Sequence, residues 1–197
     1  MLGVSRRTFL AALAGALPTA SLVRFAHTAA VDDLVGRPQT LQALGEAVLP
    51  AELGRARVAT IVSGFQRWIA GYREHAELVH GYGTSTLEWT GPTPATRWAT
   101  QLDELDRAGR RTQSRPFAAL TVAQRQQLVQ LELDAFKVDR IPPVGRCPHV
   151  ALALLSHFYG SDAANDLCYE AQIMRENCRP LAMSSRKPLP LAGVRRT

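Results

Sequence analysis

Apolar residues recur at three- and four-residue spacing along most of this chain, and a sustained apolar–polar alternation, the mark of a half-buried strand, is found nowhere. Leu41, Leu44 and Val48 form a first short helical stripe that Pro50 ends. Val58, Ile61, Val62, Phe65, Trp68, Ile69, Tyr72, Ala76 and Val79 keep the same spacing, which predicts one long amphipathic helix closed by Gly81 and Gly83. Trp98, Leu102 and Leu105 mark a third helix with charges on its outer face, broken at Ser114-Arg115-Pro116. Thr121 and Gln124 stand at capping-box spacing and open a fourth. Its predicted stripe runs through Val122, Leu128, Leu131, Ala135 and Val138, widened by Val129 and Phe136. A stiff Ile-Pro-Pro-Val-Gly loop at 141–145 follows, and residues 150–158 are apolar nearly all round, as in a helix buried on most sides. Gly160 breaks that helix. Ser161 is placed to cap a last one reaching about Met174, with Asp162 favourable near its positive end. The pattern predicts an all-α fold, an irregular bundle of about five or six helices.

The N-terminus changes the picture of where such a bundle works. Ser5-Arg6-Arg7-Thr8-Phe9-Leu10 precedes an apolar run over 11–23 that Pro18 interrupts and Arg24 stops. The run is shorter than the roughly 20 residues a spanning helix needs. Paired arginines, Phe9 and Leu10 in this register read as a twin-arginine export signal, whose route carries proteins already folded. Thr28-Ala29-Ala30 offers small residues for cleavage, with Val31 as the mature start. The expected organisation is a signal over 1–30, a helical domain over 31–178 and a basic Pro/Arg/Ser-rich tail over 179–197, with 24–37 as a linker. The expected location is the periplasm or the periplasmic face of the inner membrane.

Composition supports one modest domain: 197 residues, 46% of them hydrophobic. The formal charge of +6 owes three arginines to residues 1–30, which hold no acid. Residues 31–197 then carry 20 basic and 17 acidic side chains, and this near balance, with the arginines scattered, argues against nucleic-acid binding.

Motifs for carrying a cofactor are missing from the sequence. It has no Rossmann glycine pattern, no P-loop, no Cys-x-x-Cys-His and no Gly-x-Ser-x-Gly. A di-iron bundle site needs two Glu-x-x-His motifs and two further glutamates; here the motif occurs once, Glu77 to His80, and reads as a solvated helix end. Cys147, His149, His157, Cys168 and Cys178 are the other metal-type residues, at spacings that match no common zinc pattern. Each histidine reads as a core or interface residue. Of three cysteines in an oxidising compartment one is left over if a pair closes; Cys168–Cys178 is the expected disulfide, pinning the tail to the last helix, with two free buried thiols as the alternative. Trp68, Trp89 and Trp98 read as core or interface anchors.

The segment His157-Phe158-Tyr159-Gly160-Ser161-Asp162-Ala163-Ala164, followed by Leu167-Cys168-Tyr169, resembles the closing segment of the gluconate 2-dehydrogenase subunit 3 family. The run Leu-Gln-Ala-Leu-Gly-Glu-Ala-Val-Leu-Pro at 41–50 resembles that family's early helix, and the twin-arginine signal accords with both. The resemblance implies a small, non-catalytic subunit that aids maturation and export of a larger one through the twin-arginine translocase. Its implied partner is a flavin-dependent dehydrogenase of the glucose-methanol-choline type holding FAD, with a cytochrome c subunit, and its haem, as electron acceptor. It places no catalytic, cofactor or metal residue in this chain. His157, Phe158 and Tyr159 are the expected partner interface. The tail with Cys178, and Cys147-Pro148-His149, depart from the family layout. The alternative reading is a stand-alone periplasmic enzyme or metal-binding protein using His149, His157 and the cysteines.

Overall fold

In the computed structural model, residues 31–78, 87–173, 183 and 186–191 are described. A helical stretch over 31–35 leads into α1 (Pro38–Val48), α2 (Gly54–Ala70), α3 (Ala95–Gln113), α4 (Val122–Leu133), α5 (Val150–Tyr159) and α6 (Asp162–Cys168). Short 3₁₀ turns at Ala51–Leu53, Phe117–Ala119 and Val144–Arg146 join them. The fold is all-α, as the apolar spacing predicts. Among the described residues there is no strand, and extended pairing is confined to isolated antiparallel bridges between Glu77 and Trp89 and between Ala171 and Pro190.

The core lies where α1, α2, α3 and α5 meet. Leu41 and Leu44 of α1, Phe65 and Ile69 of α2, Trp98, Leu102 and Leu105 of α3, and Leu154 of α5 are all fully buried there. Close approach of α1 to α2 depends on Gly45: a Cβ at that position would stand 2.7 Å from Val62 Cγ2 and 3.1 Å from Val58 Cγ1. Polar groups tie the layers. Arg125 of α4 is 8% exposed. It donates from Nε to the Leu120 carbonyl at 3.0 Å, and from Nη1 to the Ala43 carbonyl at 3.1 Å and to Glu46 Oε2 at 2.9 Å. That hydrogen bond holds the Glu46 carboxyl below its ordinary pKa. Arg37, just before α1, reaches Asp103 on α3 at 2.5 and 2.7 Å.

Five segments depart from the sequence pattern. The long helix expected to run on to Gly81 ends at Ala70, with Gly71 at its C-cap. Beyond it the chain turns back to pair with 88–90. Thr90 N–H donates to the Ala76 carbonyl, and Thr90 Oγ1 accepts from Ala76 N–H. Tyr72 and Ala76 are therefore in helical register by spacing alone. Glu77 is on this ribbon rather than on a helix, while Val79, His80, Gly81 and Gly83 lie outside the described residues.

In α4 the capping box forms as its sequence predicts, Thr121 and Gln124 each accepting from the other's backbone amide. The buried face, however, is Arg125, Leu128 and Val129. Val122 and Leu131 are exposed, and the helix stops at Leu133, short of Ala135, Phe136 and Val138. Leu128 and Val129 are buried as the stripe predicts, and the Arg125 guanidinium, which the stripe leaves out, shares their face.

Ser161 caps α6 through Ala164 N–H, as expected, but the helix ends at Cys168, where Glu170 takes a left-handed φ of 50°. Met174 is outside the described residues. The expected linker is partly structured: 31–35 is helical and Leu34 is fully buried, whereas 24–30 are not described. Part of the expected tail also belongs to the fold. Gln172 N–H donates to the Leu189 carbonyl at 2.8 Å, Leu191 N–H to the Glu170 carbonyl at 3.0 Å, and Leu191 is buried.

Candidate functional site

Of the expected metal-type residues, Cys147 and His149 stand where the 141–149 loop enters α5, and both have structural work there. His149 is the N-cap of α5 and 1% exposed. Its Nδ1 accepts from Ala151 N–H at 3.2 Å, which leaves the proton on Nε2, 2.9 Å from Glu132 Oε2. Gln101, buried on α3, donates to the Pro148 carbonyl and accepts from Val150 N–H, both at 2.9 Å. Cys147 is fully buried, its Sγ turned to the Pro142 carbonyl at 3.3 Å, and burial pushes its thiol pKa up to about 11. Among the described residues no three His, Cys, Asp or Glu side chains form a group that could hold a metal ion.

The three residues expected at a partner interface separate by burial. Phe158 is 2% exposed and is part of the core, because it falls on the inward face of α5; it offers no surface to a partner. This corrects its expected interface role. Tyr159, one position on, is 61% exposed. His157 is half-buried, its ring edge-on to Phe65 with centroids 5.7 Å apart, packed over Gly64 of α2. Burial first, and then Arg67, lower its pKa, which favours the neutral ring. Cys168 is exposed with a free thiol at the end of α6. Cys178, its expected partner, lies outside the described residues, as do Ser5, Arg6, Arg7, Phe9 and Leu10.

Another concavity among the described residues lies elsewhere, and the sequence pattern does not reveal it. A groove of about 1030 Å³ opens between the end of α2, the ribbon joining 75–78 to 88–90, the start of α3 and the 143–146 turn. Trp68 and Tyr72 meet edge to face in its wall, centroids 5.5 Å apart, with Trp68 backed by Phe65 and Trp98. The Tyr72 hydroxyl donates to the Gly91 carbonyl at 3.0 Å, and burial raises its pKa. The opposite wall closes in through Gly145, where a Cβ would sit 3.1 Å from the Tyr72 ring. Pro92, Pro94 and Pro143 complete a rigid apolar lining, and Arg73, Arg97 and Arg146 stand at the groove with Glu88. Arg146 pairs with Glu88 at 2.6 Å, and Arg97 donates to the Cys147 carbonyl at 2.8 Å. The signal that could have found this groove is the density of Trp, Pro and Arg in the connections at 88–97 and 141–146, which helical periodicity passes over.

An all-α domain with an aromatic, proline-walled groove is therefore the class that fold and site define. No protein-family model, characterised protein or solved structure matches the chain.

Proposed function

We propose that this chain is the small, non-catalytic subunit of a periplasmic, membrane-associated flavin-dependent dehydrogenase complex resembling gluconate 2-dehydrogenase. It aids maturation of the catalytic subunit and takes it out through the twin-arginine translocase. The observation that carries this reading is Ser5-Arg6-Arg7-Thr8-Phe9-Leu10 ahead of an apolar run, on a chain whose following residues form a helical domain. A route that moves folded cargo lets one subunit's signal export another that is already bound to it. Residues 157–169, which carry the proposed resemblance, form one helix–turn–helix unit in the fold. Phe158 anchors the end of α5, Gly160 ends that helix, and Ser161 caps α6. The aromatic and arginine content of the groove suits a protein interface, where Trp, Tyr and Arg are enriched.

In this reading the catalytic subunit is a glucose-methanol-choline-type flavoprotein holding FAD, and a cytochrome c subunit passes its electrons on through haem. This chain supplies packing surface and the export signal. A Cys168–Cys178 disulfide, formed after export, fastens the tail. Affinity purification of the tagged chain from the periplasm of its native host tests the reading. A flavin-containing protein is expected in stoichiometric amount, identified by its visible absorbance and by mass spectrometry. Recovery of the chain alone, with the periplasm retaining full flavin dehydrogenase activity when the gene is deleted, would overturn it.

A further inference from the structure

We propose that the groove between α2, the 75–78/88–90 ribbon and the 143–146 turn is a docking site for an extended segment of another polypeptide, one carrying apolar side chains flanked by aspartate or glutamate. Three independent features of the groove specify that occupant. First, Leu78 and Trp89 line the groove and are 51% and 54% exposed, so apolar side chains of the ribbon are open to a partner there. Trp, Tyr and Arg are the residues that dominate binding energy at interaction sites. Second, the charge at the groove is net positive: Arg73, Arg97 and Arg146 stand there with Glu88, which Arg146 already engages, and with Glu74 beside Arg73, whose Oε1 accepts from Thr93 N–H. Arg73 is exposed and has no ion pair among the described residues, so acidic flanks on the incoming segment complement this rim.

Third, the ribbon offers an edge. Leu78 N–H donates to the Glu88 carbonyl and Thr90 N–H to the Ala76 carbonyl, which makes Glu77 and Trp89 a non-hydrogen-bonded antiparallel pair. In such a pair the backbone N–H and C=O of Trp89 turn away from the partner strand. They make no hydrogen bond among the described residues. An extended chain laid along this edge gains main-chain hydrogen bonds, while its alternate side chains enter the apolar groove. The inference stands on the groove alone and does not depend on the carrier role, although a dehydrogenase subunit would supply a suitable segment.

The test is selection of short random peptides displayed on phage against the immobilised full-length chain, followed by fluorescence polarisation with the enriched peptides. Enriched sequences should combine apolar residues with acidic neighbours. Trp89→Ala should weaken their binding about tenfold or more, as expected of a central anchor. Arg73→Glu should weaken acidic peptides selectively, and Leu131→Ala, on the exposed face of α4 and outside the groove lining, should leave binding unchanged. Circular dichroism checks each variant, and Leu78→Ser replaces Trp89→Ala if the latter fails to fold. Failure to enrich any peptide, enrichment of sequences without acidic residues, or binding indifferent to both ribbon substitutions would overturn the proposal. So would a concentration-dependent dimer that Trp89→Ala abolishes, which would make a second copy the occupant. Sedimentation with phosphatidylglycerol vesicles that depends on Trp89 would assign the surface to a membrane instead.

Discussion

Arg125 and Glu46 join α4 to α1 across the core, and their coupling can be measured. Replacing Glu46 with Gln keeps the side-chain shape but leaves a guanidinium only 8% exposed without its counter-charge. Two carbonyl acceptors, of Ala43 and Leu120, remain to it. The loss is therefore that of one charge-assisted hydrogen bond, about 2 kcal/mol, rather than the larger cost of a stranded ion. Arg125→Met removes the charge from the other side and leaves Glu46 with Gln42 at 3.4 Å and Arg55 at 3.2 Å, again about 2 kcal/mol. Urea unfolding of both single variants and the double variant should give a double-variant cost about 1 kcal/mol or more below the sum of the singles. The pH dependence has a definite sign. Glu46 has a folded pKa below its ordinary 4.5, so the folded state binds protons less readily than the unfolded one. Its contribution is full above pH 4.5 and is lost as pH falls through the folded value. The coupling should shrink in that acid range. Additive costs at neutral pH, or a coupling that persists after acidification, would refute the assignment of this pair as the link between α1 and α4.

Further outcomes follow from packing and burial. Phe158→Ala should cost about 3–5 kcal/mol in urea unfolding, whereas Tyr159→Ala should change stability by no more than about 0.5 kcal/mol; equal effects would contradict their different placement. Gly45→Ala should destabilise by about 1–2 kcal/mol despite the better helix propensity of alanine, because its Cβ meets the Val62 and Val58 methyls; a stabilised variant would refute the close contact of α1 with α2. In fully reduced, folded protein, iodoacetamide at mildly alkaline pH should label Cys168 and spare Cys147, whose buried thiol stays protonated until the chain unfolds; mass mapping of the labelled peptides decides it.

The apolar spacing carried the helical class because each core helix buries a stripe dense enough to read: Leu41 and Leu44, Phe65 and Ile69, Trp98 and Leu102. The caps were legible where a side chain closes a local hydrogen bond, as at Thr121 and Ser161. Ends set by tertiary pairing were not. Gly71 alone is a local mark between Tyr72 and Ala76 and the stripe before them; the ribbon with 88–90, formed with residues far along the chain, fixes the separation. Arg125 was left out of the α4 stripe because burial of a guanidinium depends on acceptors from α1 and Leu120, which no single helix displays. Phe158 and Tyr159 are equally aromatic in sequence and differ only in which way α5 turns them. The groove escaped notice for a related reason: its walls come from separate connections, brought together by Gly145 against Tyr72. The proposed export signal, by contrast, rests on a linear pattern over residues that lie outside the described ones.

That signal is where the account is most directly tested. Arg6→Lys and Arg7→Lys together keep the charge and lose the guanidinium pair that the twin-arginine reading requires. In the native host, cell fractionation followed by immunoblotting and a flavin dehydrogenase assay would follow both this chain and its partner. The account predicts that the double variant stays in the cytoplasm and that the flavoprotein, its own gene unaltered, stays there with it. Normal periplasmic dehydrogenase in the presence of a stranded small subunit would contradict the carrier role, and normal export of the variant itself would contradict the signal.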